Sequence, residues 1–454
     1  MVEQSNRKMI HTMMMMTSST PTTTPVPSNT NHCASTAAAV AAAAASSTLN
    51  FKGLPAPAKP TSQLPLYVFA QLSVLKQAVK DSGISLVDLG MGNPDMPTPT
   101  LVVDALAEAV RKPENHLYPE FDGKPEFRQA IASFMQRRHG VVGLNPNTQV
   151  QPLIGSKEGI ANIILGYIDA DSICLVPSLY YPVYMRATTV VAGTPYYMPL
   201  LEENDFLPDL DAIPTEVLAK AKMLLLNYPN NPTGREAPRW FYEKAVAFAR
   251  KHGLVLVSDL AYGEIAYDGF KPLSIFEIDG AMDVAVEFHS FSKTFNMAGF
   301  RLGFAVGNAA IIKTLYKAKT TIDYGVCNAI QDGGTVALNN AETLVPPIVA
   351  EYQKRRDYMV PQLNALGWDC TTPKGGFYLW LKVPPCFEGS SYAWVEYLMK
   401  RTGVVVTPGL AFGKDGDAYF RLSLVSPVSA LKEAIKRMCE ADIHYTMPLP
   451  TEMG

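Results

Sequence analysis

One short stretch gathers groups that do chemistry together: Ser290-Phe291-Ser292-Lys293-Thr294-Phe295-Asn296-Met297-Ala298-Gly299-Phe300-Arg301. A lysine beside a buried strand is a candidate imine-forming amine, because desolvation lowers its pKa and frees its lone pair. Taken alone, Lys293 reads as an ordinary surface lysine. Its company alters that reading, since Ser290 and Arg301 bring a hydroxyl and a cationic fork to the same glycine-containing turn, a set suited to phosphate. A second anion site is predicted at Gly155-Ser156-Lys157, just ahead of a strongly periodic helix. A helix N-terminus offers free N–H groups and partial positive charge, to which Ser156 and Lys157 add a hydroxyl and a cation. An ordinary helix cap is the competing reading. Arg421 lies inside the apolar run around Phe420-Arg421-Leu422-Ser423. Arginine is seldom buried without a partner, and its planar fork matches a carboxylate in two parallel bonds. By themselves Asp259 reads as a helix N-cap, Asn231-Pro232-Thr233-Gly234 as a turn and Tyr181 as a core aromatic.

Other patterns carry less. Gly90-Met91-Gly92 opens a dinucleotide-like fragment, but Asp95 stands where the third glycine belongs. Asn231-Pro232-Thr233 is excluded as a glycosylation site by its proline, and no H-E-x-x-H spacing supports a metal centre.

These residues need a scaffold, and the hydrophobic pattern predicts one. Ile160, Ile163, Ile164, Tyr167 and Ile168 follow the spacing of a buried helix face, as do Phe127, Ile131, Phe134 and Met135. Between such helices run Ile173–Val176, Met223–Leu226, Leu254–Val257 and Val284–Phe288. They are continuous rather than alternating, the mark of strands covered on both faces in a parallel sheet. Several end on Asn227, Asp259 or Ser290, and ligands of open α/β sheets bind beyond the carboxyl ends of the strands. Tyr378–Leu381, Val404–Val406 and Tyr419–Leu424 predict further strands, and Leu431, Ile435 and Met438 one face of a helix, in a smaller α+β unit.

The chain has 454 residues, 39 basic and 42 acidic, with 18% charged and 48% hydrophobic. That supports two or three domains. A near-neutral balance argues against nucleic acid or anionic membrane as the main partner. No apolar run approaches the roughly 20 residues of a membrane span. Six scattered cysteines without C-x-x-C suggest neither a zinc ribbon nor a disulfide scaffold. Residues 1–60 stand apart. They are rich in Ser, Thr, Ala, Met and Pro, with Glu3 their only acid and no aromatic before Phe51. Such composition predicts a disordered extension, read either as a plain tail or as a targeting segment. The compartment is then cytoplasmic, or a plastid or mitochondrion if residues 1–60 are a transit peptide.

Ser290-Phe291-Ser292-Lys293 followed eight residues later by Arg301 resembles the lysine signature of class I aminotransferases, pyridoxal-phosphate enzymes of fold type I. Other landmarks of the family follow in order over about residues 64–445. Met91-Gly92-Asn93-Pro94-Asp95, Ile154-Gly155-Ser156-Lys157-Glu158-Gly159 and Asp259-Leu260-Ala261-Tyr262 are similar to bacterial glutamate–pyruvate (alanine) aminotransferases and to the LL-diaminopimelate aminotransferase-like group. The resemblance implies an α/β fold with a mostly parallel, helix-covered sheet in a large domain (96–335). It also implies an N-terminal arm and part of the small domain (61–95), an α+β small domain (336–445) and a tail (446–454). It implies that Lys293 holds pyridoxal 5′-phosphate as an imine and then moves a proton between substrate and cofactor. Asp259 would face the pyridine nitrogen, Tyr262 and Asn231 the ring hydroxyl, and Tyr181 the ring face. Gly155, Ser156, Lys157, Ser290 and Arg301 would surround the phosphate. Arg421 and Gly92 would hold the substrate α-carboxylate. Tyr118 would reach the phosphate of a neighbouring subunit, making a homodimer with shared active sites.

The expected reaction is transamination between an amino acid and a 2-oxo acid, alanine or another small amino acid with 2-oxoglutarate. LL-diaminopimelate or aspartate is the alternative donor, and a β-lyase or a turnover-dead regulator is a rival reading. No arginine stands near Asp323-Tyr324-Gly325 for a distal carboxylate, so polar groups or another cation must serve there.

Overall fold

A computed structural model describes residues 55–65, 68–387 and 389–449. Most of the extension read over residues 1–60, and five of the nine residues of the tail at 446–454, lie outside them. The elements below all belong to one unit beginning at Pro57.

Twelve strands are formed among the described residues: β1 (Val87–Asp88), β2 (Val150–Leu153), β3 (Ile173–Pro177), β4 (Thr194–Met198), β5 (Ala221–Leu226), β6 (Val255–Asp259), β7 (Ala285–Ser290), β8 (Gly303–Gly307), β9 (Tyr378–Lys382), β10 (Val404–Val405), β11 (Thr407–Pro408) and β12 (Tyr419–Ser423). The main sheet has seven of them in the order β2-β8-β7-β6-β5-β3-β4. Neighbours from β4 to β7 pair in parallel, while β8 runs antiparallel to both β7 and β2. The sheet is therefore mostly parallel.

The helices that matter to the site are α1 (Val68–Asp81), α2 (Pro125–His139), α3 (Ser156–Tyr167), α4 (Val183–Val190), α5 (Arg239–His252), α6 (Ala309–Ile322), α7 (Ala341–Ala365), α8 (Ser391–Thr402) and α9 (Val428–Glu440). They explain why the strands read as unbroken apolar runs. Successive strand side chains point to opposite faces. In β5, Met223 and Leu225 share a core with Ile160, Ile163 and Ile164 of α3 and Ile311, Ile312 and Leu315 of α6. Leu224 and Leu226, one residue out of phase, pack with Phe241, Tyr242, Ala245 and Val246 of α5. Both faces are covered, so neither position can be polar.

A second apolar core joins Leu72, Val79, Val87 and Leu89 to Trp394, Leu398, Phe420 and Leu431. It surrounds the antiparallel sheet β11-β12-β9 and the parallel pair β1-β10. The expected strand Val404–Val406 is shorter than read, and the run Val284–Phe288 begins instead at Ala285, because Ala281–Val284 closes a helical turn. The seven-stranded sheet leaves Asn227, Asp259 and Ser290 together at its carboxyl edge.

Candidate active site

A cavity of about 270 Å³ opens at that edge. Its wall includes Gly92, Ser156, Lys157, Tyr181, Asn231, Asp259, Tyr262, Ser290, Lys293, Arg301 and Arg421, so eleven of the thirteen residues singled out in the sequence meet there. Gly155 and Tyr118 do not line it. Gly155 caps α3 instead, and Tyr118 is 81% exposed, with its ring 4.7 Å from that of Tyr324.

Lys293 stands on a single helical turn, Phe291–Thr294, that begins directly after β7. Ser290 caps it, its hydroxyl accepting from the Ser292 amide at 3.3 Å. The Lys293 side chain crosses the cavity, and Nζ donates to the Gly92 carbonyl at 2.8 Å. Burial, then repulsion from the Arg421 and Arg301 guanidinium groups, pushes this amine down to about 7. Near neutral pH it is thus both a proton acceptor and a nucleophile. Two left-handed residues follow the turn, Asn296 at φ 53° and Arg301 at φ 55°, the latter after a second short turn, Ala298–Phe300. Asparagine tolerates that region, but in arginine it costs about 1–2 kcal/mol. Such strain is held where a side chain must be aimed.

Arg301 is aimed at the start of α3. Gly155 has φ +78°, and a Cβ there would lie 2.6 Å from Arg301 Nη2. Only glycine permits both the backbone angle and that approach. The α3 N-terminus has no side-chain cap. Three fully buried isoleucines, each contributing about 1.5–3 kcal/mol, anchor the helix behind it. Lys157, in the first turn, is held below its ordinary range by burial and then by Arg301 and Arg186. Neither Lys157 nor Arg301 forms an ion pair among the described residues. Two cations, open helix N–H groups and the Ser156 and Ser290 hydroxyls therefore converge without a counter-charge, which suits a phosphate dianion.

Asp259 closes β6 at the opposite side. Its Oδ2 accepts from the Tyr184 hydroxyl at 2.6 Å, whereas Oδ1 is buried with no well-formed partner. Burial raises this carboxyl to about 6, and Tyr184 and the Ala261 amide pull it only partway back. A cationic N–H at Oδ1 would supply what the site lacks. Tyr181 stands beside Tyr184, their rings 6.0 Å apart and nearly perpendicular.

Arg421, on β12, is 3% exposed. Nη1 donates to Asn231 Oδ1 at 2.7 Å and Nη2 to the Gly90 carbonyl at 2.8 Å, which leaves other N–H groups, including a buried and unpartnered Nε. Its guanidinium carbon lies 4.1 Å from the Tyr378 ring centre and 4.6 Å from that of Phe412. Asn231 is fixed through Asn227, whose Oδ1 accepts from the Asn231 amide at 2.9 Å. Asn227 Nδ2 also donates to the Asp259 carbonyl at 2.7 Å, tying the turn to β6.

Tyr184 and Tyr378 join the site without having been singled out. Tyr184 falls one helical turn after Tyr181, a spacing available in the sequence. Tyr378 opens an apolar strand, where its type reads as core. Phe69 and Phe412 also line the cavity, brought there by tertiary packing alone.

The lysine, the unpartnered carboxylate oxygen and the open anion cradle fit a phosphorylated pyridine aldehyde. Comparison with known proteins agrees. The family model described as aminotransferase class I and II matches residues 84–438. The chain is 46% identical over 389 residues to LL-diaminopimelate aminotransferase 2 of Trichormus variabilis, covering 86% of this chain and 99% of that protein. It is 46% identical over 376 residues to LL-diaminopimelate aminotransferase of Nitratidesulfovibrio vulgaris, covering 83% and 96% respectively. Among solved structures, substrate-bound BacF from Bacillus subtilis aligns with a TM-score of 0.82 at 38% identity, over 87% of this chain and 100% of that one.

Proposed function

The chain belongs to the class I and II aminotransferase family, and from that premise we propose that it moves an amino group between LL-diaminopimelate and a 2-oxo acid such as 2-oxoglutarate. Transamination, the fold type I architecture and the use of pyridoxal phosphate come with the family. One observation carries the assignment of roles: a lysine amine near neutrality stands in the same cavity as an unpartnered carboxylate oxygen and a buried arginine. The donor expected first was alanine. What supports its alternative is the name borne by relatives 46% identical to this chain. The cavity wall agrees in kind. Among the described residues its wall has no arginine beyond Arg301 and Arg421, while Asn93 offers both a donor and an acceptor. A far end that carries ammonium and carboxylate together needs such mixed groups more than a second cation.

When bound, pyridoxal phosphate supplies an electron sink for the pair left on the substrate α-carbon. The protein's residues do the rest. Lys157, Arg301, Ser156, Ser290 and the α3 N-terminus, with Gly155 at its cap, bind the phosphate. Asp259 Oδ1 holds the proton on the pyridine nitrogen, kept in orientation by Tyr184. Tyr262 and Asn231 face the ring oxygen, and Tyr181 covers the ring. Arg421 takes the substrate α-carboxylate, with the Gly92 backbone beside it. Lys293 Nζ carries a proton between the substrate α-carbon and the cofactor C4′. Tyr118 of the partner subunit completes the phosphate cup in a homodimer. Residues 96–335 serve as the cofactor domain, and 61–95 with 336–445 as the smaller one.

Glutamate formation from 2-oxoglutarate tests the donor. LL-diaminopimelate should give a kcat/KM roughly 100-fold above alanine or aspartate, a ratio within reach of a site built for polar partners. Lys293→Ala should abolish turnover and the visible absorption band. Equal use of alanine would overturn the choice of donor, and a protein that takes up no cofactor would overturn the reading as a whole.

A further inference from the structure

A second cavity, of about 300 Å³, opens beside the active site. Side chains two apart along a strand share a face. On β9, Tyr378 lines both cavities and Trp380 the second; on β12, Arg421 lines the first and Tyr419 the second. The turn that carries Asn231 into the active site carries Thr233, Gly234 and Arg235 to this neighbour. None of the groups that hold cofactor or substrate lines it.

Its wall joins rings to charges. Trp380 stacks on Tyr419, with ring centres 5.2 Å apart, and Phe206 meets Tyr419 edge-on at 6.1 Å. Of the six charged side chains on the wall, four pair off, Lys382 with Glu202 and Lys374 with Glu236, each at 2.8 Å. Arg235 and Asp369 form no ion pair among the described residues. Arg235 is half-buried, with its guanidinium carbon 5.7 Å from the Phe206 ring centre. Its Nη2 donates to Thr371 Oγ1 at 3.2 Å, which leaves other N–H groups of the fork open. Burial pushes the neighbouring Cys370 thiol up to about 12, Asp369 adding to the rise and Arg235 opposing it. The two opposite charges thus act on one side chain without pairing with each other.

An occupant that uses every feature carries a carboxylate for the Arg235 fork, an ammonium for Asp369 and a flat apolar body for the rings. We propose that this cavity is a second binding site, for an aromatic α-amino acid. Its volume suits one small molecule. A phosphorylated ligand would call for several open cations, and Lys374 and Lys382 are already paired. A purely apolar ligand would leave Arg235 and Asp369 unused.

The test is quenching of tryptophan fluorescence by L-phenylalanine, excited where phenylalanine does not absorb. Two of the four tryptophans, Trp368 and Trp380, line the cavity. The holoenzyme is used with its cofactor in the amine form, which has no carbonyl for an amino acid to condense with in the active site. Quenching should saturate. Arg235→Leu should weaken binding about tenfold, the scale of one hydrogen-bonded pair between charged groups. Asp369→Ala should weaken it about threefold, as for an exposed pair. Neither variant should alter transamination when phenylalanine is absent. Hydrocinnamate, which lacks only the ammonium, should bind about threefold more weakly than phenylalanine and be indifferent to Asp369→Ala. Phenylalanine binding that is unchanged in Arg235→Leu overturns the site, as does the absence of both saturable quenching and saturable heat in titration calorimetry. Hydrocinnamate that binds as tightly as phenylalanine overturns the choice of an amino acid.

Discussion

Lys293 owes its reactivity to neighbours rather than to its type. Burial and two guanidinium groups bring its amine to about 7, from an ordinary value of 10.5. Below that midpoint the amine is protonated and cannot attack a carbonyl; above it the lone pair is free. The rate at which apoenzyme combines with pyridoxal phosphate should therefore rise through about pH 7 and then level off. Stopped-flow absorbance would follow it. An unperturbed lysine would instead keep gaining tenfold per pH unit toward 10.5, and that profile would contradict the assigned environment.

The elements matter because they hold these residues in register. Residues 89–95 lie between the lysine and the arginine of the site. Gly90 and Gly92 accept from Arg421 and Lys293, and Asp95 is clasped by Arg355 of α7 at 2.6 and 3.0 Å. Arg355 also donates to the Leu424 carbonyl at 3.0 Å. Removing one member of a buried pair costs about 3–5 kcal/mol, and Asp95 keeps some water, so Arg355→Met should cost about 2–3 kcal/mol. Urea denaturation of the holoenzyme would measure this, and a raised KM for the amino acid should accompany it. Four interior strands, β3, β5, β6 and β7, were legible because a strand covered on both faces admits only apolar residues. The interior strand β8, five residues bounded by Gly303 and Gly307, was not, and neither were the two edge strands. β2 contains Pro152 and β4 contains Pro195, and proline is tolerated where one side of a strand lacks a partner. At the site, residues with distinctive chemistry were visible from their spacing. Tyr184 and Tyr378 were not, since a tyrosine that touches Asp259 or Arg421 has the same local pattern as one that fills a core.

At the scale of the whole molecule, the exposed aromatic and aliphatic groups are informative. Leu117, Tyr118, Ile322 and Tyr324 are each more than half exposed, and the Tyr324 ring also stacks on Phe121 at 5.1 Å. A cluster of this kind marks a surface that another molecule covers. If Tyr118 serves a partner's phosphate site, mixing inactive Tyr118→Ala and Lys293→Ala proteins should restore up to about a quarter of parental activity per site. Activity that stays absent after subunit exchange, verified by mass, would refute the sharing. The parallel pair β1-β10 has another kind of consequence. It joins Val87 to Val404 and Asp88 to Val405, across more than 300 residues of intervening chain. At a ribosomal rate of about 5–20 residues per second, β1 waits some 15–60 s for its partner to be synthesised. During that interval Leu72, Val79 and Leu89 have no core to enter, and the nascent chain presents them to whatever chaperone stands at the tunnel exit.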